Sequence, residues 1–343
     1  FGYNAENRLS QVTLESGETI SYTYDEVGRI VSEASSTGDT VTTTYDAVGR
    51  VATVSNSSGA TTYSYDPAGN LSGIQSPNGS SIRYEYDAWG RVIEIGERAT
   101  DNSTEAITQY RYDAVGNLIS VTDPTSGITT MTYDVVNRLG SRTMPNGVTT
   151  TYTYDGVDQV TAIAHRTSTG TVLASFTYER DATGQPTKIT REDGSYRALS
   201  YDASLRLTQE VFYDAAGTAQ ETITYTYDAD GNRIAHSDSE GSHTYNYGEG
   251  FQLESVVNGT ETDTYSHDDD GRVDSISRDG ETLNLEHNAT DQLTLITNST
   301  TGETITYFYD ADGNRISETT GTEVRQYLVA PSIGSGLSVQ DLV

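Results

Sequence analysis

Polar and apolar residues alternate along most of this chain in short extended runs. Ile20, Tyr22 and Tyr24 fall on one side of such a run, and Ser21, Thr23 and Asp25 on the other. The same alternation returns at Ile82/Tyr84/Tyr86, Ile223/Tyr225/Tyr227 and Ile305/Tyr307/Tyr309. Period-two patterning rich in Tyr, Thr and Ile predicts half-buried β-strands. Each run ends on an anchor, and fifteen anchors lead from Tyr3 to Tyr309 at intervals of mostly 20 to 22 residues. Three intervals are 26: Tyr86 to Tyr112, Tyr154 to Arg180, and Tyr201 to Tyr227. Arg180, His267 and His287 hold the anchor place in their units. A period this short means one supersecondary unit repeated many times.

Asp follows the anchor in twelve of the fifteen units. A short carboxylate there accepts local backbone N–H groups and opens a turn. Four residues past the anchor stands a glycine (Gly28, Gly49, Gly69 and others) or one of Asn7, Asn137, Asp158 and Asp291. These residue types tolerate left-handed backbone, so the turn is expected to need a positive φ there. Leu205 and Phe251 break the rule, which predicts two turns of a different kind. The next strand pairs apolar residues three apart, as Val51/Val54 and Leu118/Val121, a step that predicts a bulge. A second turn follows at Xaa-Gly pairs such as Ser16-Gly17, Asn78-Gly79, Ser126-Gly127 and Asp193-Gly194.

Two turns per repeat give an all-β fold of about 30 strands in one continuous antiparallel meander, on the order of 145 Å along the hydrogen-bonding direction. A sheet that long must curl or coil. The expectation is therefore a spiralling sheet forming part of a hollow shell or tube, with a tightly packed β-solenoid as the competing geometry. Tyrosine outnumbers phenylalanine 25 to 5. That preference implies hydroxyls that still reach water or a partner, which suits a lumen or wet groove better than a sealed core.

Composition narrows the partners. The net charge is −30, from 50 acidic and 20 basic residues, and Lys188 is the single lysine. Such a surface repels nucleic acid and anionic lipid, so neither is expected as a partner. No apolar run approaches the roughly 20 residues of a membrane span, so no membrane insertion is expected. There is no cysteine for a disulfide or thiol chemistry. The chain opens inside a repeat, Phe1-Gly2-Tyr3-Asn4, which reads as a piece of a longer protein.

No residue is assigned a catalytic, cofactor-binding or metal role, and no cofactor is expected. Repetition spreads the sequence signal evenly and argues against an enzyme. The five histidines, His165, His236, His243, His267 and His287, read as packing residues. Asp228-Ala229-Asp230-Gly231-Asn232, Asp310-Ala311-Asp312-Gly313-Asn314 and Asp268-Asp269-Asp270-Gly271 mimic part of a calcium loop but lack its terminal Glu, and local capping explains them. The Asn-x-Ser/Thr triplets at Asn56, Asn78, Asn102, Asn258, Asn288 and Asn298 follow from a Ser/Thr-rich composition.

The unit Tyr-Asp-x-x-Gly-Arg/Asn-Leu/Val/Ile, as in Tyr45-Asp46-Ala47-Val48-Gly49-Arg50-Val51, resembles the YD repeat of the RHS family. The resemblance runs from residue 1 to about 330. That family includes bacterial polymorphic toxins, a cocoon component of insecticidal toxin complexes, teneurins and bacterial wall-associated proteins. It implies a spiralling β-sheet shell, which in toxins holds a C-terminal effector. On that basis residues 1–326 are expected to form the repeat array, and 327–343 an off-period transition toward a core. The one Asp-Pro-x-Gly, Asp66-Pro67-Ala68-Gly69, stands in an ordinary repeat slot without a downstream partner, so self-cleavage is not carried over. The implied role is a non-catalytic shell segment of a secreted or cell-surface bacterial protein that encloses or presents an effector domain of the same polypeptide. The alternative is an extracellular adhesin, stalk or filament that contacts surface glycans.

Overall fold

The computed structural model describes residues 1–38, 40–99, 104–310 and 313–327. Their regular structure is 31 β-strands and one short 3₁₀ turn, Glu249–Phe251, with no α-helix among the described residues. The strands belong to one open antiparallel sheet. Neighbours in the chain are neighbours in the sheet, as Thr19–Tyr24 with Ile30–Ser35 and Ile30–Ser35 with Thr40–Tyr45. This is a meander, and it replaces the β-solenoid alternative.

The strands group into two compact units, Phe1–Ile107 with Asp263–Val343, and Thr108–Thr262. Of the expected transition segment, residues 328–343 lie outside the described residues. Tyr327, the residue after the last strand Glu323–Gln326, is buried, and its N–H donates to Ile316 O at 2.8 Å.

Most of the described turns are three-residue loops whose third residue is left-handed, while a few, such as Asn56–Gly59 and Arg278–Glu281, have two-residue loops. In the turn after Tyr24, Asp25 N donates to Arg29 O (2.9 Å), and Gly28 N donates to Asp25 O (3.0 Å). In the preceding turn, Leu14 and Gly17 play the same parts, with Leu14 N to Glu18 O at 2.9 Å. This is the three-residue hairpin with a left-handed bulge residue. It corrects the Xaa-Gly reading at Ser126-Gly127, where Ser126 takes the positive φ (69°) and Asp123 N donates to Gly127 O.

Positive φ occurs four residues past the anchor throughout, from Asn7 (60°) and Gly49 (93°) to Asp291 (62°). Leu205 obeys it too, at φ 61°, with the same two closing bonds, Asp202 N to Arg206 O and Leu205 N to Asp202 O, both 3.0 Å. The expected departure does not occur there, because the Asp202 cap and both flanking strands hold the backbone against the leucine's own preference. The Phe251 turn does differ: Gly248 replaces the aspartate, Gly250 and Phe251 are both left-handed, and the 3₁₀ turn forms.

The bulge expected from the step of three is present. Tyr45 pairs with Val51 and Thr44 with Thr53, so Ala52 is the extra residue. The same register shift falls at Tyr24, Tyr65, Tyr133, Tyr227 and Tyr309. It puts Val51 and Val54, three apart, on the anchor's face.

Burial alternates as the pattern predicts: Val41, Thr43 and Tyr45 are half-buried, while Thr40, Thr42 and Thr44 are exposed. The tightest packing is a patch of Val54, Ile74, Ile82, Tyr84 and Ile95, with Ile82 2% exposed. Within the first unit, turns far apart in sequence meet. Ser16 N donates to Asp270 Oδ1 (3.3 Å), Arg272 lies 3.9 Å from Glu18, and Asn56 Nδ2 donates to Tyr309 O (3.2 Å).

Two substitutions test the turn. Gly49→Val places a Cβ 3.3 Å from Arg29 Nη1 at φ +93°, and should lower unfolding stability by about 1–3 kcal/mol through backbone strain. Leu205→Gly relieves the same strain and should raise stability by up to about 1 kcal/mol, net of the added chain entropy. Denaturant melts of both variants decide, and opposite signs are the expected outcome.

Candidate functional site

The repeat builds a ladder of side chains along its first turns. Asp25 Oδ1 accepts from Val27 N (3.1 Å) and Arg29 N (2.9 Å), and Asp25 Oδ2 takes Arg29 Nε at 2.7 Å. The arrangement recurs at Asp46, Asp87, Asp134, Asp202 and Asp268. Where the repeat has Asn in place of Arg, the amide reaches the same oxygen, as Asn70 Nδ2 to Asp66 Oδ2 at 3.0 Å. The Arg/Asn choice in the motif is therefore a choice of donor to one carboxylate.

The arginine then reaches the next unit. The Arg29 guanidinium lies 4.1 Å from the ring centre of Tyr45, Arg50 4.1 Å from Tyr65, and Arg206 4.8 Å from Tyr227. Arg138 Nη1 donates to Asp155 O (3.1 Å) and Arg206 Nη1 to Asp228 O (3.0 Å). A planar fork that bonds along its edge and stacks on its face does what an ammonium cannot, which accounts for the near absence of lysine.

The anchor hydroxyl points back. Tyr45 Oη donates to Ile30 O (2.8 Å), Tyr65 to Val51 O (2.9 Å), Tyr154 to Leu139 O (2.9 Å) and Tyr309 to Leu293 O (2.7 Å). Each acceptor is the strand residue opposite the previous anchor, beside the bulge. The partner of the phenol is thus the backbone, which corrects the expectation of a wet lumen as the reason for tyrosine. Arg180 reproduces the contact with its guanidinium, Nη2 to Val160 O at 3.2 Å. His287 does not, and its Nδ1 is buried without a partner.

These bonds act on the carboxylates. The backbone N–H of Arg29, and then, against partial desolvation, the Arg29 side chain hold Asp25 below its usual range. The Arg206 backbone and side chain do the same for Asp202. The calcium-like segments share this fate: Asp228 Oδ1 accepts from Asp230 N and Asn232 N, and Asp268 Oδ2 takes Arg272. Ala311 and Asp312 of the third such segment lie outside the described residues, as does Asn102.

The second unit carries a polar aromatic row that the period does not announce. Arg197 Nη1 donates to Glu210 Oε2 (2.9 Å), and Tyr225 Oη donates to Glu210 Oε1 (2.9 Å). Burial, then the Glu210 bond, push the Tyr225 hydroxyl up to about 12. Tyr225 pairs across strands with His236, and His236 with His243, whose rings stack at 4.2 Å. Asp238 Oδ2 lies 3.4 Å from His236 Nε2. Read as packing residues in the sequence, these two histidines sit on either side of one hairpin turn, and the seven-residue spacing is the signal that marks them as partners. His267 and His287, the histidines at anchor positions, are not part of this group. In the same unit a cavity of about 580 Å³ is lined by Tyr178, Ile189, Tyr196, Phe212, Tyr213 and Asp214, with Tyr196 stacked on Tyr213 at 4.5 Å.

The RHS Repeat family pattern matches residues 3–41, 45–81, 112–149 and 201–243. The chain carries RHS repeats. A crystal structure of TcdB2-TccC3 matches 99% of this chain and 28% of its own, with a TM-score of 0.52 at 13% identity. One of TcdB2-TccC3-Cdc42 matches 93% and 26%, with a TM-score of 0.51 at 13% identity. The chain spans little more than a quarter of the length of those structures, and what it shares with them is the fold. No curated protein matches the sequence. The RHS repeats of this chain form a β-sheet with the fold seen in those structures, and among the described residues no helix is long and apolar enough to cross a membrane.

Removing one rung tests the ladder: Tyr45→Phe loses the bond to Ile30 O and should cost about 0.5–1.5 kcal/mol in a denaturant melt. The carboxylates set the pH response. Asp25, Asp134 and Asp202 are depressed on folding, so their contribution is complete above the unfolded carboxyl value near 4 and is lost as pH falls through the lower folded values. The melting temperature should stay level down to about pH 5 and fall below it. A Tm that held steady to about pH 2 would show that the caps do not couple to folding.

Proposed function

We propose that this chain is a non-catalytic shell segment of a secreted or cell-surface bacterial protein, and that its sheet encloses or presents an effector domain of the same polypeptide. The observation that carries this reading is the anchor face. Outside the patch around Ile82, aromatic and aliphatic side chains of this face, such as Tyr22, Val41 and Tyr45, stay only half-buried. A long apolar face of this kind marks a surface that meets something else. The Asp–Arg–Tyr ladder fixes each repeat to the next, which suits a wall rather than a moving part. The proposed mechanism is containment: the sheet keeps an attached domain away from water and partners. A 13% identical fold match supports the scaffold and leaves the cargo open.

A second reading rests on the Tyr196/Tyr213 cavity, where stacked phenols stand beside Lys188, whose Nζ is 4.7 Å from the Tyr196 ring. Aromatic faces flanked by polar groups suit sugar rings, and this favours the glycan-contacting adhesin.

Cysteine labelling separates the two, because the chain has no native thiol. Thr43→Cys lies on the anchor face and Thr44→Cys on the opposite, exposed face. In the parent polypeptide, the Thr43→Cys variant should react with a bulky maleimide severalfold more slowly than after deletion of the region downstream of the repeats, while the Thr44→Cys variant reacts equally in both. Equal rates for Thr43→Cys, together with oligosaccharide binding that Tyr196→Ala removes, would replace the shell reading with the adhesin.

A further inference from the structure

We propose that the hairpin carrying His236, Asp238 and His243 is a binding site for a late first-row divalent cation such as Zn²⁺. The site lies wholly within the second unit and does not depend on the shell reading.

The turn supplies the geometry. Asp238 N donates to Gly241 O (2.9 Å), and Asp238 Oδ1 accepts from Glu240 N (2.9 Å) and Gly241 N (3.1 Å). One carboxylate oxygen is thereby committed to the backbone, and the other is held toward His236 Nε2 at 3.4 Å. His243 stands directly across the sheet from His236, and its ring lies parallel to the His236 ring within 7°. One ligand atom from each of the three residues falls within 4.8 Å of the others. Ligand atoms around a tetrahedral ion with 2.0–2.1 Å bonds stand about 3.4 Å apart. Binding therefore needs up to about 1.4 Å of closure, which ring rotation supplies.

Two further observations point to an ion. His243 Nδ1 is buried with no hydrogen-bond partner, so the imidazole is desolvated with nothing to compensate it. His236 also has an outer partner: its Nδ1 is 3.0 Å from Tyr245 Oη, and Arg233 Nη2 donates to that same hydroxyl at 3.0 Å. With the imidazole proton on Nδ1 and donated to Tyr245 Oη, the Nε2 lone pair is free for a cation. This is the outer hydrogen bond that metal-bound histidines regularly make. Two imidazoles and one carboxylate select Zn²⁺, Ni²⁺ or Cu²⁺ over Ca²⁺ and Mg²⁺, which prefer all-oxygen shells. A water completes the coordination.

The test is calorimetric titration with Zn²⁺, with Co²⁺ absorption as the spectroscopic probe, in excess Ca²⁺ to occupy the many surface carboxylates. The protein should bind one equivalent of Zn²⁺, and the Co²⁺ complex should show the intense visible bands of a tetrahedral site. His243→Ala and Asp238→Asn should abolish that equivalent, Tyr245→Phe should weaken it about 10–100-fold, and His165→Ala should leave it unchanged. Should a variant lose its fold, the histidine ring resonances of the unaltered protein decide. Zn²⁺ should shift His236 and His243 and leave His165, His267 and His287 in place. A uniform response of all five, or Zn²⁺ binding that survives both ligand substitutions, would overturn the site and restore the packing role that the sequence assigns to these histidines.

Discussion

The structure rests on a left-handed residue held in place by a carboxylate. In the turn after each anchor three residues bring the chain back, and the closing geometry puts a positive φ on the third of them. Left alone, that conformation costs most residues of order 1–2 kcal/mol. The aspartate makes it the favoured state by accepting two backbone N–H groups at once, as Asp46 does from Val48 and Arg50. The strength of that cap is visible where the sequence works against it. Leu205 adopts the same backbone as Gly49 because Asp202 and Arg206 hold the frame around it. At Gly248, where the anchor is followed by no side chain at all, the loop adopts a different form.

From the cap the order spreads sideways. The carboxylate oxygen not used by the backbone fixes an arginine, the arginine covers the next tyrosine, and that tyrosine returns a hydrogen bond to the backbone of the unit before. Each rung is weak and half-exposed, worth little as an ion pair alone. Repetition makes the set effective, since each unit is tied to its neighbours by several such contacts, in the manner of nearest-neighbour repeat proteins. Few of the described apolar side chains are buried, and the ladder supplies order where packing is thin. Arg180 shows that the hydrogen bond to the backbone carbonyl, more than the ring, is what the anchor position requires.

The polar row of the second unit is a departure from the repeat with a different logic. Glu210 is nearly buried yet satisfied by Arg197 and Tyr225. Beside it, His236 faces His243 where an earlier unit pairs Ile74 with Ile82. A buried imidazole nitrogen without a partner is costly in a scaffold, and its persistence beside a preorganised carboxylate is what sets this hairpin apart from the units around it.

Much of this was legible in the sequence, because the decisive chemistry is local. Strand parity, the turn positions, the bulge behind Val51/Val54 and the antiparallel meander all follow from contacts within one hairpin, and each leaves a mark in the residue types themselves. Three things did not. The hydroxyl of Tyr45 finds a carbonyl fifteen residues back, a pairing fixed by how adjacent hairpins lie against each other. The turn at Leu205 is imposed by its neighbours against its own preference. The meeting of Ser16 with Asp270 and of Asn56 with Tyr309, 254 and 253 residues apart, depends on small rotations between strands summed over many repeats. No single position encodes that sum, so the sequence by itself determined the unit and its stacking, and only the tertiary structure decided which distant turns come into contact.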